Sequence, residues 1–462
     1  MDIRTLLDHT ATQAADFLEG LPGRPVGPGA TVAELRERFG GPLPDGPADP
    51  AKVVAQLAEA AEPGLVASAG PRYFGFVVGG SEPAALAADW LTAAWDQNAG
   101  LYALSPAAAV AEEVAADWLR DLLGLPAGAS SGFVTGGLMA NFTCLAAARS
   151  HVLASAGWDV ERDGLGGAPP VSVVVGAERH VTIDIALRYL GLGAGRAKVV
   201  PADGQGRLRA DALPGVLAAC SGPTIVCAQA GDVNSGAFDP LADVCRAAGE
   251  HGAWVHVDGA FGLWAAASPA LRHLVAGAEQ ADSWATDAHK WLNVPYDCGL
   301  AFVAHPDAHG SVTAKTASYL VAAEGGERDP AGWTPEASRR ARGFPVYAAL
   351  RSLGRAGVVE LVERCCAHAR RFADRLGGEA GVEVRNEVVL NQVLVRFLDP
   401  AGDHDARTRE VIRRVQDDGT CWLGGSSWQG SAVMRISVSN WSTTEEDVDR
   451  SVEAILRAAR AA

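Results

Sequence analysis

Lysine is scarce in this chain of 462 residues, with four lysines beside thirty-five arginines. Positive charge as a whole is outnumbered by carboxylates, and the net charge is −16. So acidic a chain lacks the basic surface that non-specific nucleic-acid or anionic-membrane binding requires, and neither partner is expected. Basic residues do cluster at Ser338-Arg339-Arg340-Ala341-Arg342. Runs this short usually form a solvated helix start or a buried ion-pair group.

Long apolar runs are missing as well. The first residues, Met1 to Asp8, continue as an amphipathic pattern with acids inside it. They form neither a signal-peptide core nor a membrane-length stretch, and a cytoplasmic protein is expected. Eight cysteines, at 144, 220, 227, 245, 298, 365, 366 and 421, contain no CxxC pair. A chain of this length needs no stapling, so reduced thiols are expected. No metal site is expected either. His305 and His309 are four apart, but Pro306 and Gly310 place them in a turn, as surface histidines.

What the chain does contain is ordinary for a soluble globular protein with a large core, at 48% hydrophobic and 20% charged residues. Residues 1–60 read as two short helices separated by the Pro/Gly stretch Gly20 to Gly29, an arm that packs on its own chain or crosses to a partner. From about Pro71 helix and strand alternate. Apolar runs at Val171–Val175, Val199–Val200, Thr224–Ala228, Trp254–Asp258 and Gly299–Ala304 read as strands. Helices are expected at Leu138–Ala154, Thr182–Leu190, Arg209–Ala219, Pro240–Gly249 and Pro269–Ala276. Strands apolar throughout and separated by helices predict an α/β fold with a mainly parallel sheet covered on both faces. After Pro345 the pattern predicts a long helix (Tyr347 to Leu376) and strands at Val382–Val384 and Val393–Phe397. A helix at Ala406–Gln416, strands at Cys421–Leu423 and Val433–Val438, and a last helix capped by threonine follow. The expected organisation is an N-terminal helical arm (1–60), a large α/β domain (61–344) and a smaller C-terminal α+β domain (345–462).

One of the few lysines is placed for chemistry. Lys290 lies in Asp287-Ala288-His289-Lys290-Trp291-Leu292, beyond the strand-like Trp254-Val255-His256-Val257-Asp258. A lysine in apolar surroundings is disfavoured as a cation, which frees its amine as a nucleophile for a Schiff base with a carbonyl cofactor. An aspartate at a strand end supplies an anion for a pyridinium nitrogen. Together they point to pyridoxal 5'-phosphate (PLP). Gly132-Phe133-Val134-Thr135-Gly136-Gly137-Leu138 reads as a glycine turn opening a helix, a backbone anion site, although such turns also serve structure alone. Alternation puts His256 and Asp258 on one face of their strand, where each needs a partner if buried. His180 follows another strand and could stack on a flat ring. His289 could donate to a phosphate.

The chain resembles the group II PLP-dependent amino-acid decarboxylases, the family of the aromatic-L-amino-acid, histidine and glutamate decarboxylases. The likeness rests on Tyr73-Phe74-Gly75-Phe76, Asp96-Gln97-Asn98-Ala99, Thr135-Gly136-Gly137, His180 and Gly236-Ala237-Phe238-Asp239-Pro240. It continues through His256-Val257-Asp258-Gly259-Ala260, Asp287-Ala288-His289-Lys290-Trp291 and Arg435-Ile436-Ser437. The resemblance implies the type I PLP-dependent transferase fold and a homodimer with active sites at the subunit interface. By position it makes Lys290 the Schiff-base lysine and Asp258 the pyridinium partner. His180 and Ala260 would lie on the two faces of the ring, and Gly136, Gly137, Leu138 and His289 would hold the phosphate. Arg435 matches the place where glutamate-type relatives hold the substrate carboxylate. The implied reaction converts an L-amino acid to its amine and carbon dioxide.

One departure bears on the product. In the aromatic branch a loop tyrosine helps reprotonate the substrate carbon; alignment on Ser338-Arg339-Arg340 puts Pro330 there, and no tyrosine occurs from Val321 to Phe344. In relatives its loss favours oxidation by O₂, to aldehyde, ammonia and peroxide. Decarboxylation is therefore the first expectation and decarboxylation-dependent oxidative deamination the second. Gln97, Asn98 and Tyr102, on the segment that lines the substrate in relatives, suggest a pocket more polar than an aromatic substrate needs. An inert scaffold would have no use for Lys290. An aminotransferase would need the same lysine and aspartate, but the His-Lys-Trp context favours decarboxylases.

Overall fold

Segments with buried side chains on both faces build the main sheet. In the computed structural model, which describes residues 2–313 and 326–462, seven strands take part. They are β1 (Ser130–Val134), β2 (Ser172–Gly176), β3 (Lys198–Val200), β4 (Thr224–Gln229), β5 (Trp254–Asp258), β6 (Ser283–Asp287) and β7 (Gly299–Val303). Their order is β1-β7-β6-β5-β4-β2-β3. Neighbours from β3 through β6 run parallel, while β7 is antiparallel to both β6 and β1. The mainly parallel α/β sheet is thus as expected. β1 and β6 carry Ser-Ser-Gly-Phe-Val and Ser-Trp-Ala-Thr-Asp, with too many small and polar residues to read as apolar runs, yet β6 is buried throughout.

Helices Gly137–Ser155, Val181–Tyr189, Leu213–Ala218 and Leu241–Gly249 connect the strands. The helix expected over Pro269–Ala276 does not form. Ser268 Oγ accepts from the N–H groups of Ala270 and Leu271 and folds the chain into a turn, followed by a 3₁₀ turn at Arg272–Val275. His305 and His309 also need correction. Pro306 opens a helix, Pro306–Thr313, since proline is favoured at a first helical position. His309 is fully buried, with Nδ1 2.8 Å from Ser130 Oγ and Nε2 3.0 Å from the Trp333 carbonyl. The arginine cluster holds a buried ion pair: Arg339 meets Glu112 at 2.8 Å with both side chains inaccessible.

The chain divides into two compact units. One holds the main sheet and comprises Gly79–Ala369 and Asn386–Val393. The other comprises Met1–Val78, Arg370–Arg385 and Leu394–Ala462. β8 (Val382–Val384), β9 (Gln392–Phe397), β10 (Gly424–Trp428) and β11 (Ser431–Ser437) form a separate four-stranded antiparallel sheet in the order β10-β11-β9-β8. Cys421 and Leu423 are buried but precede β10 instead of forming a strand. The final helix, Glu445–Ala461, begins at a capping box between Thr444 and Asp447. The N-terminal arm has three helices where two were expected: Ile3–Gly20, Val32–Phe39 and Pro50–Ala61. None of the three buries a residue, and Ile3, Leu7, Phe39, Val53 and Leu57 are exposed. Among the described residues, no helix is long and apolar enough to cross a membrane.

Candidate active site

The carboxyl ends of β4, β5 and β6 place Gln229, Asp258 and Asp287 along one edge of the sheet, where open α/β sheets bind ligands. Asp258 is 4% exposed and engaged as an acceptor on both oxygens. Oδ1 accepts from the Ala260 N–H at 3.2 Å and Oδ2 from Asn141 Nδ2 at 3.0 Å. The Asn141 amide also donates to Thr182 Oγ1 at 3.1 Å, and Thr182 Oγ1 lies 2.8 Å from His180 Nδ1. His180 caps the helix Val181–Tyr189, and its backbone N–H donates to Gln229 Oε1. His256, two residues before Asp258 and fully buried, finds its partners in Asn141 Oδ1 at 2.9 Å and Ser283 Oγ at 3.0 Å. Burial pushes its imidazole down to about 4, so the ring is neutral at pH 7.

Lys290 follows β6 and is not surrounded by apolar groups alone, as the sequence suggested. Its Nζ lies 2.9 Å from Asp287 Oδ2, and that carboxylate is 1% exposed. His289 Nε2 is 3.6 Å from the other oxygen of the same carboxylate. The Cys298 N–H donates to His289 Nδ1 at 3.0 Å, and burial holds the imidazole below its ordinary value. A neutral ring that accepts at Nδ1 carries its proton on Nε2. The Tyr296 ring lies against His289, with centroids 4.4 Å apart. The lysine loop is held from beneath at Gly79, where a Cβ would come within 1.7 Å of the Lys290 carbonyl oxygen.

Gly136 and Gly137 open the 19-residue helix Gly137–Ser155, which has no capping side chain. Its first N–H groups, including that of Leu138, therefore form an anion-binding end. A Cβ on Gly136 would lie 3.2 Å from His289 Cε1, and one on Gly137 2.8 Å from Asp287 Oδ2. The helix end thus lies against the histidine and the aspartate that contacts the lysine. An uncapped helix end, a neutral N–H donor, a lysine and a strand-end carboxylate are the donor set PLP needs. The residues fit the cofactor.

The expected substrate residues are placed differently. Gln97 is exposed and donates to the Trp95 carbonyl, while Asn98 Oδ1 accepts from the N–H groups of Gly100 and Arg339. Asn98 is therefore committed to joining two segments. The same two segments meet again where Asp329 Oδ1 accepts from the Tyr102 N–H at 2.8 Å and where Ala331 donates to the Gly100 carbonyl. Pro330 is buried in the 3₁₀ turn Pro330–Trp333; positions 321–325 of its loop lie outside the described residues. Arg435 stands half-buried on β11, in the other unit. Asp287, Asn141 and Thr182 were not singled out from sequence. Asp287 could have been, three residues before Lys290 at a strand end; Asn141 and Thr182 carry no local signal beyond their neighbours.

The family model described as the pyridoxal-dependent decarboxylase conserved domain matches residues 34–398. Tryptophan decarboxylase 1 of Oryza sativa subsp. japonica is 28% identical, over 98% of this chain and 93% of that protein. The 4-hydroxyphenylacetaldehyde synthase of Rhodiola rosea is 26% identical, over 95% and 90% of the two chains. The crystal structure of Oryza sativa TDC with PLP and tryptamine superposes with a TM-score of 0.93 at 25% identity, covering 100% of this chain and 98% of that one.

Proposed function

The chain belongs to the pyridoxal-dependent decarboxylase family, carboxy-lyases that use PLP, and we propose that it converts an L-amino acid to its amine and carbon dioxide. The observation that carries this reading is the pair of strand-end groups, Lys290 on the Asp287 carboxylate and Asp258 in the Asn141 amide, at one sheet edge. Lys290 would hold the cofactor's aldehyde carbon, and Asp258 would accept from its ring nitrogen. His180 and Ala260 are assigned to the two ring faces. The N–H groups of Gly136, Gly137 and Leu138 and the Nε2–H of His289 are assigned to the phosphate. When bound, the cofactor supplies a protonated ring that takes up the electron pair released as the substrate's Cα–carboxylate bond breaks. Arg435 and Gln97 remain proposed substrate contacts; Asn98, whose oxygen joins two segments, would have only its amide nitrogen for that role. The proton returned to the substrate carbon would come from His180, Lys290 or water.

A second product is supported by a specific observation: proline stands where the aromatic branch has its loop tyrosine. One similar relative is named an aldehyde synthase. On this reading, after carbon dioxide is lost, two electrons from the substrate carbon would pass to O₂, giving peroxide, and water would then displace ammonia at that carbon to leave the aldehyde.

We further propose a homodimer. The unburied helices of residues 3–61 present apolar side chains that a second copy would cover. Residues 61–344 are proposed as the cofactor-binding domain and the cytoplasm as the protein's compartment. The cofactor assignment is tested by borohydride reduction and peptide mapping. The label is expected on Lys290 and should vanish in Lys290→Ala, which should also lose turnover. Label on another lysine, or normal turnover in that variant, would overturn it.

A further inference from the structure

Asn141 is 1% exposed, and all three polar positions of its amide are used by groups at the sheet edge. The directions of these bonds follow from elementary donor bookkeeping. Two N–H groups point at Asp258 Oδ2 and Thr182 Oγ1, so the Asn141 oxygen is the acceptor and His256 Nε2 must donate to it. His256 Nδ1 is then an acceptor, served by the Ser283 hydroxyl, whose oxygen in turn accepts from Trp254 Nε1 at 2.9 Å. On the other branch Thr182 Oγ1 has accepted from Asn141 and turns its own hydrogen to His180 Nδ1, to which the Thr182 backbone N–H also points. The His180 proton is thereby confined to Nε2.

We propose that Asn141 is a positioning residue that sets two site groups at once, the oxygens of Asp258 toward the cofactor ring nitrogen and the tautomer of His180. His256 keeps Asn141 the right way round. Without the Nε2–H of His256, the Asn141 oxygen has no donor and the amide can turn over. It would then present oxygen to the Asp258 carboxylate. A purely structural asparagine would need only to be satisfied, and any arrangement of its three bonds would serve. Here one bond ends on Asp258, a second reaches His180 through Thr182, and the third, from His256, fixes which way the amide faces. This inference rests on the cofactor alone and holds whether the product is amine or aldehyde.

The test uses the full-length protein in three variants: Asn141→Ala, His256→Phe and the donor-retaining His256→Gln. Two readouts are taken besides activity: the affinity of apoprotein for PLP, and the pH titration of the bound cofactor's absorbance. Asn141→Ala and His256→Phe should each weaken PLP binding by about tenfold or more, the size of effect that loss of supporting contacts has at metal sites, and displace the absorbance titration. His256→Gln should stay near the parent protein in both. Unchanged affinity and titration in Asn141→Ala and His256→Phe, whatever their melting temperatures, would overturn the proposal. Should Asn141→Ala fail to fold, the histidine pair decides: equal behaviour of His256→Phe and His256→Gln would overturn it equally.

Discussion

Lys290 Nζ and Asp287 Oδ2 lie 2.9 Å apart, the carboxylate buried at the end of β6 and the lysine three residues beyond it. The contact fixes the lysine's amine beside the glycine turn, because the same carboxylate faces Gly137. A single side chain therefore links the lysine to the helix end assigned to the phosphate.

This link makes Gly137 sensitive to a single methyl group. A Cβ there would meet Asp287 Oδ2 at 2.8 Å, closer than real Cβ contacts fall. Gly137→Ala should displace Asp287 and with it Lys290, at a cost of roughly 1–3 kcal/mol. PLP affinity should fall while the secondary structure is retained. Titration of the apoprotein with PLP, beside circular dichroism, checks this; an unaltered affinity would show that the contact relaxes freely.

Asp258→Asn keeps the volume at β5 but puts an amide N–H₂ where one of two accepting oxygens stood, against the Ala260 N–H or the Asn141 amide, so some stability should be lost while the fold survives. Turnover should drop by several orders of magnitude, because the anion proposed to face the ring nitrogen would be gone. Steady-state rates measured beside a melting curve separate the two effects. A mild change in rate would assign Asp258 to structure alone.

How much of this site was legible depended on how far each residue advertises itself. Lys290 and Asp258 could be read directly, one as a rare lysine in a specific context and the other at the end of the apolar β5. β6 was not legible, since Ser283, Thr286 and Asp287 interrupt any apolar pattern, and only the spacing of three residues to Lys290 pointed to the lysine's ion-pair partner. Asn141 lies on the helix that follows the glycine turn and carried no signal of its own. Its three bonds reach residues 41 to 117 positions away, and no local pattern encodes contacts of that range. His309 was misplaced because a proline was read as a break when it begins a helix.

His309 supplies a pH test. Burial pushes its imidazole down to about 4, against about 6.5 in an unfolded chain. The unfolded state therefore binds more protons between these values, and the contribution of His309 to stability is lost as pH falls from about 6.5 toward 4. Asp239 acts in the opposite sense, since burial pushes its carboxyl up to about 7; its contribution is present at acid pH and lost as pH rises through that value. The net slope mixes the two, so the comparison must be differential. His309→Gln should flatten the acid-side loss relative to the parent protein in urea melts across that window. Parallel curves would mean that His309 does not titrate there.

Pro330→Tyr tests the loop. The proline is buried in a turn fastened by Asp329 to the Tyr102 N–H, so the larger ring costs some stability by overpacking. Any aldehyde and peroxide formed by the parent protein should nevertheless give way to amine. An unchanged product ratio in folded variant would count against the alignment that puts the missing tyrosine at this position.

The PLP-loaded protein should decarboxylate at least one L-amino acid. The measurement is aerobic turnover against a panel of L-amino acids, with carbon dioxide, amine, aldehyde and peroxide read together. Carbon dioxide is expected from at least one amino acid, with amine as the partner product. Aldehyde with matching peroxide would replace the amine reading with the oxidative one. Turnover without carbon dioxide would contradict the claim outright.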